Sequence, residues 1–388
     1  MATTLTAAEQ FCVVVQAYLD TQNTPDNSAL NLGMHKLLKS ASNKDGFNAK
    51  TKSGAGMPLT GQNAKIEIKY VKPVCGDTDD ITTLCDETTT AVTNPFGNAT
   101  HQFPTTSVSS KAYKVPESIY KQVCDTKEAI DAAIIDQHFK NILTKAENKL
   151  IQSAFDCMGI YCSGDDSTDP AQMLTVNLFS EDGKFAQPAA METVAAQLRN
   201  AKANGKASII GGSRLKSFLS AMANAGLGAN ALGAAPTILQ DYNFYYSSEF
   251  DSAMATAAGT AGDYMLVIAP GTVQILDYLD NVGPFHKIAD SYIHTTLSRT
   301  FDGIEFQADF DGAYNAKCKE WEFLLRTMED TWCLPTNDYC EGTAPGRWAF
   351  KIGCGTPDLC ASPCVSPGAT LPPQAKKAAT KKAEAAQE

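Results

Sequence analysis

Residues 125–157 read DTKEAIDAAIIDQHFKNILTKAENKLIQSAFDC, and this stretch decides the fold. Ile130, Ile134, Ile142, Leu143, Ala146, Leu150, Ala154 and Phe155 recur at helical spacing along it. Asp125 stands where an N-cap belongs and Glu128 follows three residues later, a capping box with Asp in place of Ser or Thr. The spacing predicts one helix over 126–157, about 48 Å long at the α-helical rise. That length suits a spine crossing a flat domain.

Ahead of this helix runs a polar arm from Thr60 to Lys114. It carries Thr78, Thr82, Thr83, Thr88, Thr89, Thr90, Thr93, Thr100, Thr105 and Thr106, and few large apolar residues. Loops of this length are uncommon inside compact domains and usually act outside them. Ile66, Ile68 and Tyr70 alternate with Lys65, Glu67 and Lys69, which predicts a half-solvated strand. Residues 111–115 are the expected returning strand, with turns at Asn94-Pro95 and Phe96-Gly97 near the tip. An isolated hairpin is marginal in water, so a partner surface is implied. Before the arm, Phe11, Val14, Val15 and Tyr18 predict a helix over 6–20, and 21–60 lose all periodicity.

Beyond the long helix the pattern is α/β. Leu174, Val176 and Leu178 alternate as a strand, Glu181-Asp182-Gly183 reads as a turn, and a helix is expected over 190–204. Ala207 to Ile210 form a short buried strand that Gly211-Gly212-Ser213 leads into a helix. Residues 223–236 are small and read as a loop. Asn243 to Tyr246 and Tyr264 to Ala269 are further strands, and Gly271 to Leu279 a further helix. The C-terminal third turns to β: Ile304, Phe306, Ala308 and Phe310 alternate with Glu305, Gln307 and Asp309. Asp302-Gly303 and Asp311-Gly312 read as turns, and Cys318 to Trp332 as the return.

Composition narrows the function classes. The 388 residues are 44% hydrophobic and 19% charged, the balance of a globular chain. No apolar run reaches the roughly 20 residues of a membrane span, and the N-terminus lacks the pattern of a signal peptide. A net charge of −11 argues against a general nucleic-acid binder. The one basic stretch, Lys376, Lys377, Lys381 and Lys382, reads as a solvated tail. Twelve cysteines are many for a cytosolic chain. They lack paired C-x-x-C spacing, so buried thiols or disulfides formed after release from the cell fit better than zinc.

Each chemical motif has a plainer structural reading. Gly211-Gly212-Ser213 opens a helix as phosphate loops do, but lacks the P-loop Lys and the third Gly of a dinucleotide site; a tight turn with Ser213 as N-cap suffices. Asp309 and Asp311 lack the remaining ligands of a calcium loop. His35, His101, His138, His286 and His294 are scattered, and no cysteine stands in a catalytic context. Glu320 and Glu322 share a strand face, and a solvated face explains them. Trp321, Trp332 and Trp348, with Tyr314, Phe323 and Leu325, are the expected core of a C-terminal sheet. No catalytic, cofactor-binding or metal-ligating residue is assigned.

The order of parts resembles the Hong Kong 97-type major capsid proteins of tailed double-stranded-DNA bacteriophages. Residues 207–212 resemble the strand that opens a helix in that family's axial domain. Asp263 to Gly271 resemble its late strand and Pro-Gly turn. Phe306 to Asp311 and Lys317 to Trp321 resemble the final peripheral strands. The resemblance implies an α+β fold with an N-terminal arm (1–57), an extended β-hairpin E-loop (58–116), and a peripheral domain with the spine helix (117–189). An axial α/β domain (190–295), closing peripheral strands (296–334) and a Cys-rich C-terminal extension with a Lys/Ala tail (335–388) complete it. It implies no enzyme and no cofactor, but a homo-oligomer of pentamers and hexamers forming an icosahedral shell around double-stranded DNA, without sequence-specific binding and without a membrane. Scaffold, portal and decoration proteins are the partners implied, and the virion the location, after synthesis in the host cytoplasm. Two other readings stand beside it: an encapsulin-like compartment shell, and a secreted adhesin-like surface protein.

Overall fold

A computed structural model of the chain describes residues 14–20, 30–40, 49–52, 65–71, 96–102, 108–109, 113–116, 118, 127–158, 173–200, 205–229, 242–278, 286–289, 292–301, 303–334 and 346–355. Its architecture is α+β. The long helix, here α3, runs Lys127–Asp156, within a residue or so of its expected ends. The capping residue Asp125 lies outside the described residues. Among the described residues, two shorter helices precede α3: α1 at 14–20 and α2 at Gly33–Lys39.

The described residues form three sheets, and α3 packs against the second and third. The first is β1 (Ala49–Lys52), β2 (Lys65–Val71) and β3 (Phe96–Gln102), antiparallel with β2 in the middle. Here the expectation changes. The return strand paired with β2 is Phe96–Gln102, and Tyr113–Pro116 (β5) pairs instead with the distant strand β14 (Glu320–Cys333). Gly97 explains why 96–102 serves as the strand: the Tyr70 ring lies across it, and a Cβ there would sit 2.2 Å from the ring. The glycine that looked like a turn is a docking place for an aromatic ring.

The second sheet is antiparallel, ordered β10 (Val273–Tyr278), β14, β13 (Ile304–Asn315), β12 (Tyr292–Phe301) and β11 (His286–Ala289), with β4 (Val108–Ser109) and β5 also on β14. Strands β12 (Tyr292–Phe301) and β13 (Ile304–Asn315) form a hairpin closed around Gly303 at φ 80°. Asp311-Gly312 is no turn. It lies inside β13 opposite Leu324 and Phe323, where the missing Cβ of Gly312 leaves room for the Phe310 ring. The turn comes later, at Lys319 with φ 50°. Residues 273–278, expected as helix, are β10 (Val273–Tyr278), in register with the end of β14. Val273 and Ile275, both β-branched, alternate inward there, and a strand accommodates such side chains better than a helix does.

The third sheet is ordered β6-β15-β9-β7-β8, from Thr175–Phe179, Arg347–Cys354, Tyr264–Ile268, Ser208–Gly211 and Asn243–Tyr246. Every residue of β7 and β9 is buried, as continuous apolar strands covered on both faces should be. Sheet membership departs from chain order in three places. Thr175–Phe179 belongs to this sheet although it precedes residue 190, and β10 leaves it for the second sheet although it precedes 295. Arg347–Cys354, expected in an added extension, lies between β6 and β9. Its run Trp348, Ala349 and Phe350 is apolar and needs two covered faces. Trp348 is therefore core to this sheet and not to the second one.

Helix α4 (Met191–Asn200) and helix α5 (Ser213–Ala229) cover one face, with Val194, Leu215 and Phe218 packed on Val267, Trp348 and Phe350. The other face receives α2, the last turns of α3 and a helix not foreseen, α6 (Phe250–Ala257). Residues 223–229, expected as loop, continue α5; Ala there favours helix enough to carry two glycines. The first half of α3 packs with α1 against the second sheet, through Ile135, Phe139, Leu143, Leu297, Phe306 and Phe310.

Candidate functional site

The most concentrated chemistry among the described residues lies where α2, α3 and β14 meet. Glu147 of α3 is fully buried and accepts three hydrogen bonds from α2: Met34 N–H at 2.7 Å, His35 N–H at 3.1 Å and His35 Nδ1 at 2.5 Å. On the ring's other side, His35 Nε2 lies 2.7 Å from Glu329 Oε2 of β14. Lys39 Nζ, one turn along α2, is 3.4 Å from Glu329 Oε1 and 4.6 Å above the Phe306 ring. Both imidazole nitrogens face carboxylate oxygens, an arrangement satisfied only when both carry protons. Burial alone would pull the His35 pKa down. The charge of Glu329 and the bonds to both glutamates override it and lift the imidazole to about 9. Burial likewise pushes Glu329 up, and the His35 and Lys39 charges bring it to about 2. The cluster is thus two carboxylates matched by two cations.

A histidine between carboxylates can relay protons in a catalytic site. Here His35 and Glu147 are wholly inaccessible, so no substrate can reach them. The arrangement clamps: Glu147 occupies the free N–H groups of α2 and holds the helix on α3, while Glu329 ties it to the sheet.

A second group anchors the three-stranded sheet. Asp330, next along β14, faces His101 Nε2 of β3 at 3.0 Å, and its other oxygen accepts from Ser153 Oγ of α3 and from Thr331 N–H. Burial would raise the Asp330 carboxyl, but these bonds hold it below the ordinary range. Tyr70 of β2 stacks obliquely on Trp332, with ring centroids 5.4 Å apart. A third group secures α1. The Gln16 amide donates to Ser298 O and accepts from Ser298 N–H, filling one backbone position on the edge of β12. Arg299 donates to the Leu19 carbonyl and pairs with Asp136 of α3 at 3.1 Å.

The glycine turn at 211–213 has its own answer. Ser213 N–H and Oγ both donate to Asp251 of α6, so a carboxylate already occupies the helix start that a phosphate would need. Ser213 is the first helical residue and not the cap. Glu320 and Glu322 flank the exposed Lys114 at 3.5 and 3.7 Å, on a solvated face. Asp311 binds His294 and Arg326, each at 2.5 Å, an internal pairing within the sheet. His138 packs on Tyr113 inside α3, and burial lowers its pKa. Cys157 and Cys333 are joined as a disulfide, while Cys318 and Cys354 are free; Cys75 and Cys85 lie outside the described residues.

His35 and Glu147 were missed as a pair by the sequence reading. One signal was present: Glu147 falls on the apolar face of α3 with Leu143, Leu150 and Ala154, where a lone carboxylate calls for a buried partner. His35 carried none, because α2 is too short for periodicity.

No protein-family model matches the chain, and no curated protein matches it. Among solved structures it is similar to a chain from Mycobacterium phage Adephagia, at 11% identity over 83% of this chain and 94% of that one, with a TM-score of 0.42. It is similar also to the capsid of an empty GTA particle, at 12% identity, 78% and 100% coverage and a TM-score of 0.38. A chain of the Cyanophage Pam1 capsid asymmetric unit matches at 12% identity, 75% and 85% coverage and a TM-score of 0.39.

Proposed function

We propose that this chain is the major capsid protein of a tailed double-stranded-DNA bacteriophage, with the Hong Kong 97-type fold. The observation that carries the reading is the small sheet β1–β2–β3. It is anchored on β14 near both ends of its β2–β3 ladder, through Tyr70 on Trp332 and His101 on Asp330, and its outer strands β1 and β3 have no further strand beside them among the described residues. A sheet with two open edges offers strand pairing to a neighbouring copy. Helix α3, 30 residues long, is a rigid spine that backs β14, the strand on which this sheet is anchored.

In this reading β1–β3 are the E-loop, the second sheet with α3 is the peripheral domain, and the third sheet with α4–α6 is the axial domain. Subunits form pentamers and hexamers that close an icosahedral shell. The net charge of −11 lets the shell enclose DNA without gripping a sequence. Scaffold, portal and decoration proteins are the partners it would meet, and its activity is assembly, not catalysis.

Electron microscopy of the purified protein, alone and with a scaffold protein, tests the proposal. Closed shells bearing five- and six-fold rings are expected. Monodisperse monomers under every assembly condition would overturn it. Shells that hold protein cargo and no nucleic acid when isolated from infected cells would point to an encapsulin-like compartment.

A further inference from the structure

We propose that the Cys157–Cys333 bond is a redox staple, closed after folding on two thiols that Arg347 already holds together. Cys157 directly follows the last residue of α3, and Cys333 is the last residue of β14. Their Cα atoms are 6.0 Å apart, within the span a disulfide bridges without moving the backbone.

Contacts other than the bond also hold that spacing. Arg347, at the start of β15 and 2% exposed, donates from Nε to the Cys157 carbonyl and from Nη2 to the Leu334 carbonyl, both at 2.8 Å. One guanidinium therefore ties the end of the spine to the end of the strand. The register Val273 opposite Cys333 fixes the strand end, and the Cys157 N–H to Ala154 bond fixes the helix end. The other two described cysteines, Cys318 and Cys354, are exposed and free. Pairing thus falls where the backbone is already aligned.

The timing rests on the proposed shell function; the bond does not. Thiols of a protein made inside a cell are kept reduced, and the same thiols oxidise outside. With a small-molecule disulfide as oxidant, one thiolate attacks it, forming a mixed disulfide and releasing one thiol. The second cysteine, deprotonated, then attacks the mixed disulfide at the protein sulfur and releases the second small thiol. The protein loses two electrons and the small disulfide gains them. The closed bond joins residues 176 apart in sequence, which constrains the unfolded chain far more than the folded one.

The test uses the unassembled full-length chain in glutathione buffers of rising oxidised fraction. Peptide mapping after alkylation should recover the Cys157–Cys333 pair, and oxidation should raise the thermal midpoint by roughly 5–10 °C. The double variant C157S/C333S should lose that rise. Arg347→Gln should slow closure of the mixed disulfide at least about tenfold while leaving its formation unchanged, since only the second step needs the alignment. Free thiols at both positions in oxidised buffer, or either cysteine paired elsewhere, would overturn the proposal. So would a midpoint shift that persists in the double variant. If Arg347→Gln does not fold, mapping of the wild-type chain still decides. Failure to form shells alongside a correctly mapped bond would sink the capsid reading alone.

Discussion

Replacing Glu329 by Gln removes one charge from the clamp on α2 while leaving an oxygen to accept from His35. The His35 imidazole stands at about 9 against an ordinary 6.5, a gap worth about 3 kcal/mol. The depressed Glu329 carboxyl reflects the same interaction from its other partner, so the amount is counted once. The sign follows from the direction of each shift. His35 is raised, so its contribution is whole below pH 6.5 and is lost as pH climbs through 9. Glu329 is lowered, so its contribution is whole above pH 4.5 and is lost as pH falls through about 2. The clamp is therefore strongest between about pH 4.5 and 6.5. At pH 6, E329Q should open α2 about 100-fold more often than the parent chain, read as subtilisin cleavage within 33–39 under limiting protease. At pH 10 the parent has lost its imidazolium, and the two proteins should differ less than about fivefold. An equal difference at both pH values would show that Glu329 acts by packing alone, and no difference at pH 6 would show that α2 is held by its apolar contacts. Either outcome refutes the charge argument.

Gly97→Val should unseat the Tyr70 ring, because its Cβ would lie 2.2 Å from that ring. A loss of about 1–3 kcal/mol is expected, with a change in Trp332 fluorescence and faster cleavage around β2 and β3. Gln16→Ala should uncover the Ser298 N–H and carbonyl on the edge of β12 and cost about 1 kcal/mol by chemical denaturation. It should also raise aggregation at high concentration in light scattering, since an open strand edge pairs with other chains; unchanged scattering would mean that α1 shields the edge without this amide.

Long periodic elements were legible in the sequence. Helix α3 appears where its pattern places it, and β13 begins where its alternation does, because each repeats its signal over many residues, although β13 runs on through the expected turn at 311–312. Elements that rely on partners were not. Residues 273–278 carry Val, Ile and Leu in an order that fits either helix or strand, and only pairing with β14 decides. Phe96-Gly97 looked like a turn because glycine usually supplies conformational freedom, whereas here it supplies space for Tyr70. The clamp was least legible. Its four charged residues come from positions 35, 39, 147 and 329, and a sequence shows that a glutamate interrupts an apolar face without showing what answers it.

Strand β14 carries Glu329, Asp330, Trp332 and Cys333, and so receives α2, the three-stranded sheet and the end of α3 within a few residues. The consequence is one of order in time. His35 and Glu329 are 294 residues apart, and a ribosome adds about 5–20 residues per second. For roughly 15–60 seconds α2 exists before the strand that clamps it has been made. The N-terminal half of the chain is therefore born waiting, and the last-made part of the second sheet closes the clamp on it.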